Sequence, residues 1–190
     1  MLDFLIGFDR SAFQFLNGMH TSWMDPVMFA GTRPVTWIPL YLLLLIMVVR
    51  RFGWKSVWVI LCLAAAIAVS DQLSNLVKEW VARPRPTQDP DMHGVHTVRG
   101  YLGGMYGFYS AHASTSMAIA VFLLRLPGRP LRRLIFLLGL YVLIMSYTRI
   151  YLGVHYPGDI LAGWIAGCLI GWAGAIACGR ILQMKTRERK

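Results

Sequence analysis

The sequence predicts an all-α fold: a polytopic helical bundle embedded in a membrane. Three observations carry this. The 190 residues are 56% hydrophobic with mean hydropathy +0.52, and only 15% are charged, where soluble domains carry about a quarter. Five apolar segments, roughly 34–49, 56–77, 110–124, 134–148 and 158–178, approach the ~20 residues that span a bilayer. Basic residues also cluster between them. The length suits one domain, 1–190. Cys62, Cys168 and Cys178 lie inside apolar runs, without metal-ligand or disulfide spacing, and read as small buried hydrophobes.

Residues 1–22 scatter Phe4, Leu5, Phe8, Phe13 and Phe15 among Asp3, Asp9 and Arg10. No run there is long enough to cross, and no basic stretch precedes an apolar core as in a signal peptide. An amphipathic helix in the membrane interface is expected, with a helix packed on the bundle, or a sixth span, as the alternatives. The first span tolerates Pro34 and Pro39 where freed carbonyls find other partners, and Trp23–Gly31 could extend it across Arg33. The second carries Asp71, a costly intramembrane carboxylate that Lys78, seven residues on, could pair. Residues 79–107 hold Pro84, Pro86, Pro90 and five glycines and read as a long outer-face loop; loops of this length usually serve a function. His93 and His96 lie in it but lack the carboxylate or cysteine partners of a metal site, so no metal is expected. Tyr101, Tyr106, Phe108 and Tyr109 suit an aromatic belt or a lipid entrance. Gly163, Gly167, Gly171 and Gly174 on the last span suit close helix packing.

The net charge is +10. Twelve of the 19 Lys and Arg fall in 50–55, 125–133 and 180–190. Five spans put these on one side, which the positive-inside rule makes cytoplasmic. That explains the excess without nucleic acid as a partner. The other seven, Arg10, Arg33, Lys78, Arg83, Arg85, Arg99 and Arg149, lie at or near the opposite face.

Three clusters meet at that face: K-E-W-V-A-R-P-R-P (78–86), Y-S-A-H (109–112) and T-R-I-Y-L-G-V-H-Y-P-G-D (148–159). His155 and Asp159 are four apart; on one helix face the carboxylate would hold one imidazole tautomer, as a base or nucleophile needs. Lys78, Arg85 and Arg149 offer fixed charge for a phosphate dianion, and Ser110 with the amides of a helix start adds donors. Two histidines can divide attack and proton donation, His155 as nucleophile and His112 as acid. Taken alone, the third cluster also suits a membrane-edge arginine and a loop histidine capping a helix.

K-x6-R-P (Lys78 to Pro86), S-x-H (Ser110 to His112) and R-x5-H-x3-D (Arg149 to Asp159), in that order, resemble the signature motifs of the type-2 phosphatidic acid phosphatase superfamily, which is related in fold to vanadium haloperoxidases. The motifs and intervening helices cover roughly 56–178. The resemblance implies a phosphohistidine on His155 aided by Asp159, and His112 protonating the leaving group. It implies phosphate binding by Lys78, Arg85, Ser110, Arg149 and the main chain near Ala111, without a metal or other cofactor. Tyr109 and Ala111 replace the usual proline and glycine of the second motif, and Thr148 the usual serine before Arg149; alanine keeps the N–H donor. The expected activity is removal of phosphate from a lipid at the outer face of a bacterial inner membrane. Undecaprenyl diphosphate is the first expectation, because an outward site and a compact chain suit recycling of that carrier. Phosphatidylglycerol phosphate, phosphatidic acid and lipid A phosphates follow. A transporter and a non-catalytic lipid-binding homologue are the rivals from other classes.

Overall fold

The structure is a computed structural model that describes residues 2–126 and 134–187. Seven α-helices follow one another among the described residues: α1 (Leu2–Gly18), α2 (Met24–Gly31), α3 (Ile38–Phe52), α4 (Ser56–Val81), α5 (Ala111–Arg125), α6 (Ile135–Tyr151) and α7 (Pro157–Arg187). The predicted basic loop after Arg125 lies mostly outside the described residues.

Local chemistry sets the boundaries. Arg33 is extended, at φ −85° and ψ 133°, as a residue before proline prefers. The chain therefore breaks at Pro34, and Met24–Gly31 forms the separate α2 instead of extending the first span. Gly53, at φ 54°, ends α3, and one 3-10 turn, Gly53–Lys55, leads into α4. The second span runs on to Val81 and stops at Ala82, whose left-handed conformation returns its N–H to Lys78 O. The long loop is therefore 82–110, not 79–107. Ser110 caps α5, accepting from Ala113 N. Pro157 opens α7, a position where its missing N–H costs nothing. Arg149 sits within the last turn of α6, not beyond its end.

Helix α5 is the centre, packed against α4, α6 and α7. Phe122, Leu123, Val59 and Leu138 are fully buried there. Polar groups at these contacts are paired, as burial requires: Ser70 with Ser114 at 2.7 Å, Trp164 Nε1 donating to Ser146 Oγ at 2.9 Å, and the hydroxyls of Tyr41 and Tyr141 at 3.0 Å. The outward faces are apolar: Leu42, Leu61, Phe136, Leu143, Ile165 and Leu169 are exposed, as a lipid-facing surface requires. Pro34–Val81 and Pro157–Met184 are each long and apolar enough to cross a membrane, whereas α5 and α6 are shorter apolar helices.

The expected close packing at glycines is present. A Cβ on Gly163 would sit 2.7 Å from Ser110 O, one on Gly167 would strike Ser114 O, and one on Gly171 would meet Ala118 O. All three press α7 onto the backbone of α5. Gly167→Ala is therefore expected to cost about 1–3 kcal/mol, the usual range for overpacking. Gly139→Ala, where a Cβ meets nothing within 4 Å, should be neutral or stabilising. Thermal unfolding in one detergent checks both.

Helix α1 lies over the end of the bundle where the loops gather. Phe13 is buried with Met92, Ala113, Ile150, Tyr156 and Ile160. Asn17 Nδ2 donates to the carbonyls of Ile150 and Tyr151, both at 3.0 Å. Its other face leaves Phe4, Leu5, Phe8 and Phe15 exposed. The segment is thus a helix packed on the bundle, the alternative the sequence left open.

Candidate active site

Five pieces of chain converge beyond α1. Lys78 comes from the end of α4, Arg83 and Arg85 from the loop, and Ser110 to His112 from the start of α5. Arg149 comes from the end of α6, and His155 with Asp159 from the turn into α7. His155 experiences the charges of Arg149, Arg85 and Lys78. His112 experiences those of Arg149, His155, Lys78 and Arg85. The eight residues expected from the sequence therefore gather in one region.

The turn 152–156 delivers His155 into the protein, 2% exposed. Gly153 makes that turn possible: it adopts φ +74°, and a Cβ there would meet Val95 Cγ1 at 2.7 Å. Asp159, fully buried in the first turn of α7, faces back. Its Oδ2 lies 3.4 Å from His155 Nδ1 and accepts Tyr156 N–H at 3.0 Å. An Nδ1–H directed at this carboxylate leaves Nε2 with its lone pair free. Burial, together with Arg149, Arg85 and Lys78, holds His155 well below the usual histidine pKa, so the imidazole is neutral at pH 7. In the unfolded chain it would take up a proton near pH 6.5. A folded pKa below the unfolded one means that stability falls as pH drops below about 6.5. We expect Tm to fall between pH 7 and pH 5, and His155→Gln to flatten that fall.

The cations are held by neutral groups as well as by each other's surroundings. Arg149, 2% exposed, donates to Thr32 Oγ1 and to the Tyr101 hydroxyl at 3.2 Å. Arg85 donates Nε–H to Tyr106 O at 3.0 Å. Its guanidinium lies against Gly103, where a Cβ would come within 2.5 Å of Nη1. Burial and the charge of Arg149 lower the Arg85 pKa. Among the described residues, Arg149 Nε and Arg85 Nη1 are buried without a hydrogen-bond partner. Buried donors are rarely left so, and two on adjacent guanidiniums suit an anion. Among the described residues, Lys78 makes long contacts to Ser74 Oγ at 3.4 Å and Asn75 Oδ1 at 3.5 Å, which leave its ammonium able to turn. Ser110 is fully buried as the cap of α5, which aims the first amides of that helix, Ala111 among them, outward.

Other expectations shift. Asp71 makes a 3.4 Å contact with Asn75 Nδ2 and, with Ala111 and His112, lines a pocket of about 190 Å³. An apolar groove of about 340 Å³ lies alongside, between α3, α4 and α5, lined by Leu44, Val48, Val59, Leu63 and Ile119. Tyr41 and Thr115 line both. Tyr101 is exposed and accepts from Arg149, whereas Tyr109 is buried and is no part of a surface belt. His96 Nε2 is 2.9 Å from Asp25 Oδ1 and its ring stacks on His20 at 3.8 Å, which ties the loop to the first turn of α2 and to the chain before it.

Sequence reasoning missed two participants. Arg83, counted only as outer charge, donates Nη1–H to Asp159 Oδ1 at 2.9 Å and Nη2–H to Asp9 Oδ2 at 2.7 Å. Asp9 comes from α1. The available signal was a charged pair, Asp9 and Arg10, interrupting an apolar segment.

A family model described as the PAP2 superfamily matches residues 56–183, which contain all three clusters. The chain belongs to the PAP2 superfamily. This PAP2 chain is 39% identical over 179 residues to a lipid A 4'-phosphatase of Bacteroides thetaiotaomicron, covering 90% of the chain and 77% of that protein. A lipid A 4'-phosphatase of Porphyromonas gingivalis is 29% identical over 90% of the chain and 72% of its own length. An undecaprenyl-diphosphatase of Sulfolobus acidocaldarius is 25% identical over 88% of the chain and 77% of its length. Among solved structures, a transmembrane PAP2-type phosphatidylglycerolphosphate phosphatase from Bacillus subtilis shares the fold. Its TM-score is 0.67 at 22% identity, over 93% of the chain and 87% of the other. The protein is thus an all-α membrane protein of this superfamily.

Proposed function

We propose that this PAP2 protein is a membrane lipid phosphatase that hydrolyses a phosphomonoester of a lipid A-like glycolipid. The observation that carries the chemistry is the pair of buried, partly unpaired guanidiniums of Arg85 and Arg149 beside two histidines. The substrate class rests on the relatives: the sequence alone puts undecaprenyl diphosphate first, but identity to a lipid A 4'-phosphatase is 39%, against 25% to an undecaprenyl-diphosphatase. Lipid A phosphate therefore takes first place.

The phosphate enters between Lys78, Arg85, Arg149 and the amides at the start of α5. Its negative charge favours an imidazolium at His112. Nε2 of neutral His155 attacks phosphorus; the N–P bond forms as the bond to the leaving sugar oxygen breaks. His112 gives that oxygen its proton. Asp159 stabilises the positive charge developing on the His155 ring. Water, giving its proton back to His112, then attacks phosphorus, releasing phosphate and restoring His155. The cations act on charge building on the equatorial oxygens, the largest contribution expected for such a transfer. The neighbouring apolar groove receives an acyl chain and keeps the lipid anchored while its headgroup reacts. The chain acts as one phosphatase domain, with α3–α7 crossing a bacterial inner membrane five times and the site on the outer side, opposite the basic loops.

The test is phosphate release by purified protein in EDTA from lipid A, undecaprenyl diphosphate, phosphatidylglycerol phosphate and phosphatidic acid, each beside His155→Ala. The expected result is highest kcat/KM on lipid A, lost in the variant. Preferential release from undecaprenyl diphosphate would reverse the substrate order; EDTA inactivation restored by a divalent ion would overturn the metal-free scheme.

A further inference from the structure

We propose that Asp9 and Arg83 are positioning residues for the nucleophilic pair, so that α1, outside the helices carrying the motifs, sets the orientation and charge of Asp159 against His155. This rests on the reading of His155 as nucleophile.

The contacts form one chain of alternating charge. Asp159 is fully buried and spends its Oδ2 on His155 Nδ1 and Tyr156 N–H. Arg83 takes Oδ1 at 2.9 Å. A buried carboxylate needs such a partner to remain ionised. Arg83 is fixed from two further directions. Its Cζ lies 4.1 Å from the centroid of the Tyr156 ring, and its second nitrogen meets Asp9 Oδ2 at 2.7 Å. Asp9 is itself held: its Oδ1 accepts Gly158 N–H, in the first turn of α7, at 2.7 Å. Only glycine leaves room, since a Cβ at 158 would approach Asp9 Oδ2 to 2.8 Å. The next residue of α1, Arg10, binds Asp89 at 2.9 Å, and Asp89 accepts the Tyr156 hydroxyl at 2.6 Å. Adjacent residues of α1 thus grip both ends of the Arg83–Tyr156 stack.

Charge gives this arrangement a direction. His155 faces Lys78 of α4, Arg85 of the loop, His112 of α5, Arg149 of α6 and Asp159 of α7. Arg83 offsets the charge of Asp159, and Asp9 offsets part of Arg83. Removing Arg83 makes the surroundings of His155 more negative and favours its protonated, non-nucleophilic form. Removing the charge of Asp9 does the opposite, while loosening Arg83.

The test is the pH dependence of kcat/KM in the full-length, detergent-purified enzyme, with phosphate release from lipid A as readout. Arg83→Gln should lower kcat on the order of tenfold to a hundredfold and move the acid limb up by about one pH unit. Arg83→Lys should restore the limb and part of kcat. Asp9→Asn, which keeps an oxygen for Gly158 N–H, should lower kcat severalfold and move the limb down. Asp3→Asn, a control on exposed Asp3 at the start of α1, should change neither. Opposite movement of the limb in Arg83→Gln and Asp9→Asn is the signature that a purely structural role would lack. Variants that lose Tm while keeping the wild-type limb and kcat would overturn the proposal. If Arg83→Gln fails to fold, Arg83→Lys and Asp9→Asn still decide it. A wild-type enzyme that is active without a phosphohistidine would instead remove the underlying reading of His155, which separates the two failures.

Discussion

His155→Ala is expected to abolish turnover, by roughly 10⁴- to 10⁶-fold, the scale on which loss of a nucleophile acts when its partners function as a unit. Among the described residues, His155 is the imidazole near the arginine cluster with a buried carboxylate against one nitrogen, whereas His112 begins α5. Mixing enzyme with lipid substrate labelled at phosphorus and quenching within a turnover should trap an acid-labile, base-stable phosphoenzyme in wild type and none in His155→Ala. His112→Ala should still accumulate the label from substrates with good leaving groups, because attack does not need the acid. Label remaining in His155→Ala would move the nucleophile elsewhere.

Arg149→Lys is expected to lower kcat/KM by about 10²- to 10³-fold, although charge is kept. The guanidinium reaches Thr32 and Tyr101 with two nitrogens while Nε has no partner among the described residues. An ammonium cannot hold that fork. It would also leave the buried Thr32 hydroxyl without its donor. Inhibition by orthovanadate, which resembles the trigonal phosphoryl group, should weaken in parallel with kcat/KM. A loss confined to KM would mean that Arg149 binds ground state and transition state equally.

The arginine, lysine and histidine positions were readable because each motif fixes residue types at short spacing near a helix end, and local spacing survives folding. Helix existence was readable for the same reason: the apolar runs dictate it. Boundaries moved where one residue's backbone decides, at Arg33 before Pro34 and at left-handed Ala82. Arg83 and Asp9 were illegible because they meet across 74 residues, a separation that no periodicity encodes. Arg83 and Arg85 look alike in sequence. Only the fold directs one toward Asp159 and Asp9 and the other toward Tyr106 and Gly103.

The glycines of α7 carry a further consequence. His112 rides on α5 and Asp159 on α7, and Gly163, Gly167 and Gly171 bring those two backbones into contact. The spacing of acid and nucleophile is thus gauged by main chain against main chain, with no side chain as an adjustable shim. Such a gauge has one setting. Sequence drift should be unequal around the circumference of α7: free among apolar types at Leu161, Ile165 and Leu169, which are exposed, and nearly frozen one face away, where a single methyl group would reset the interval between the two imidazoles.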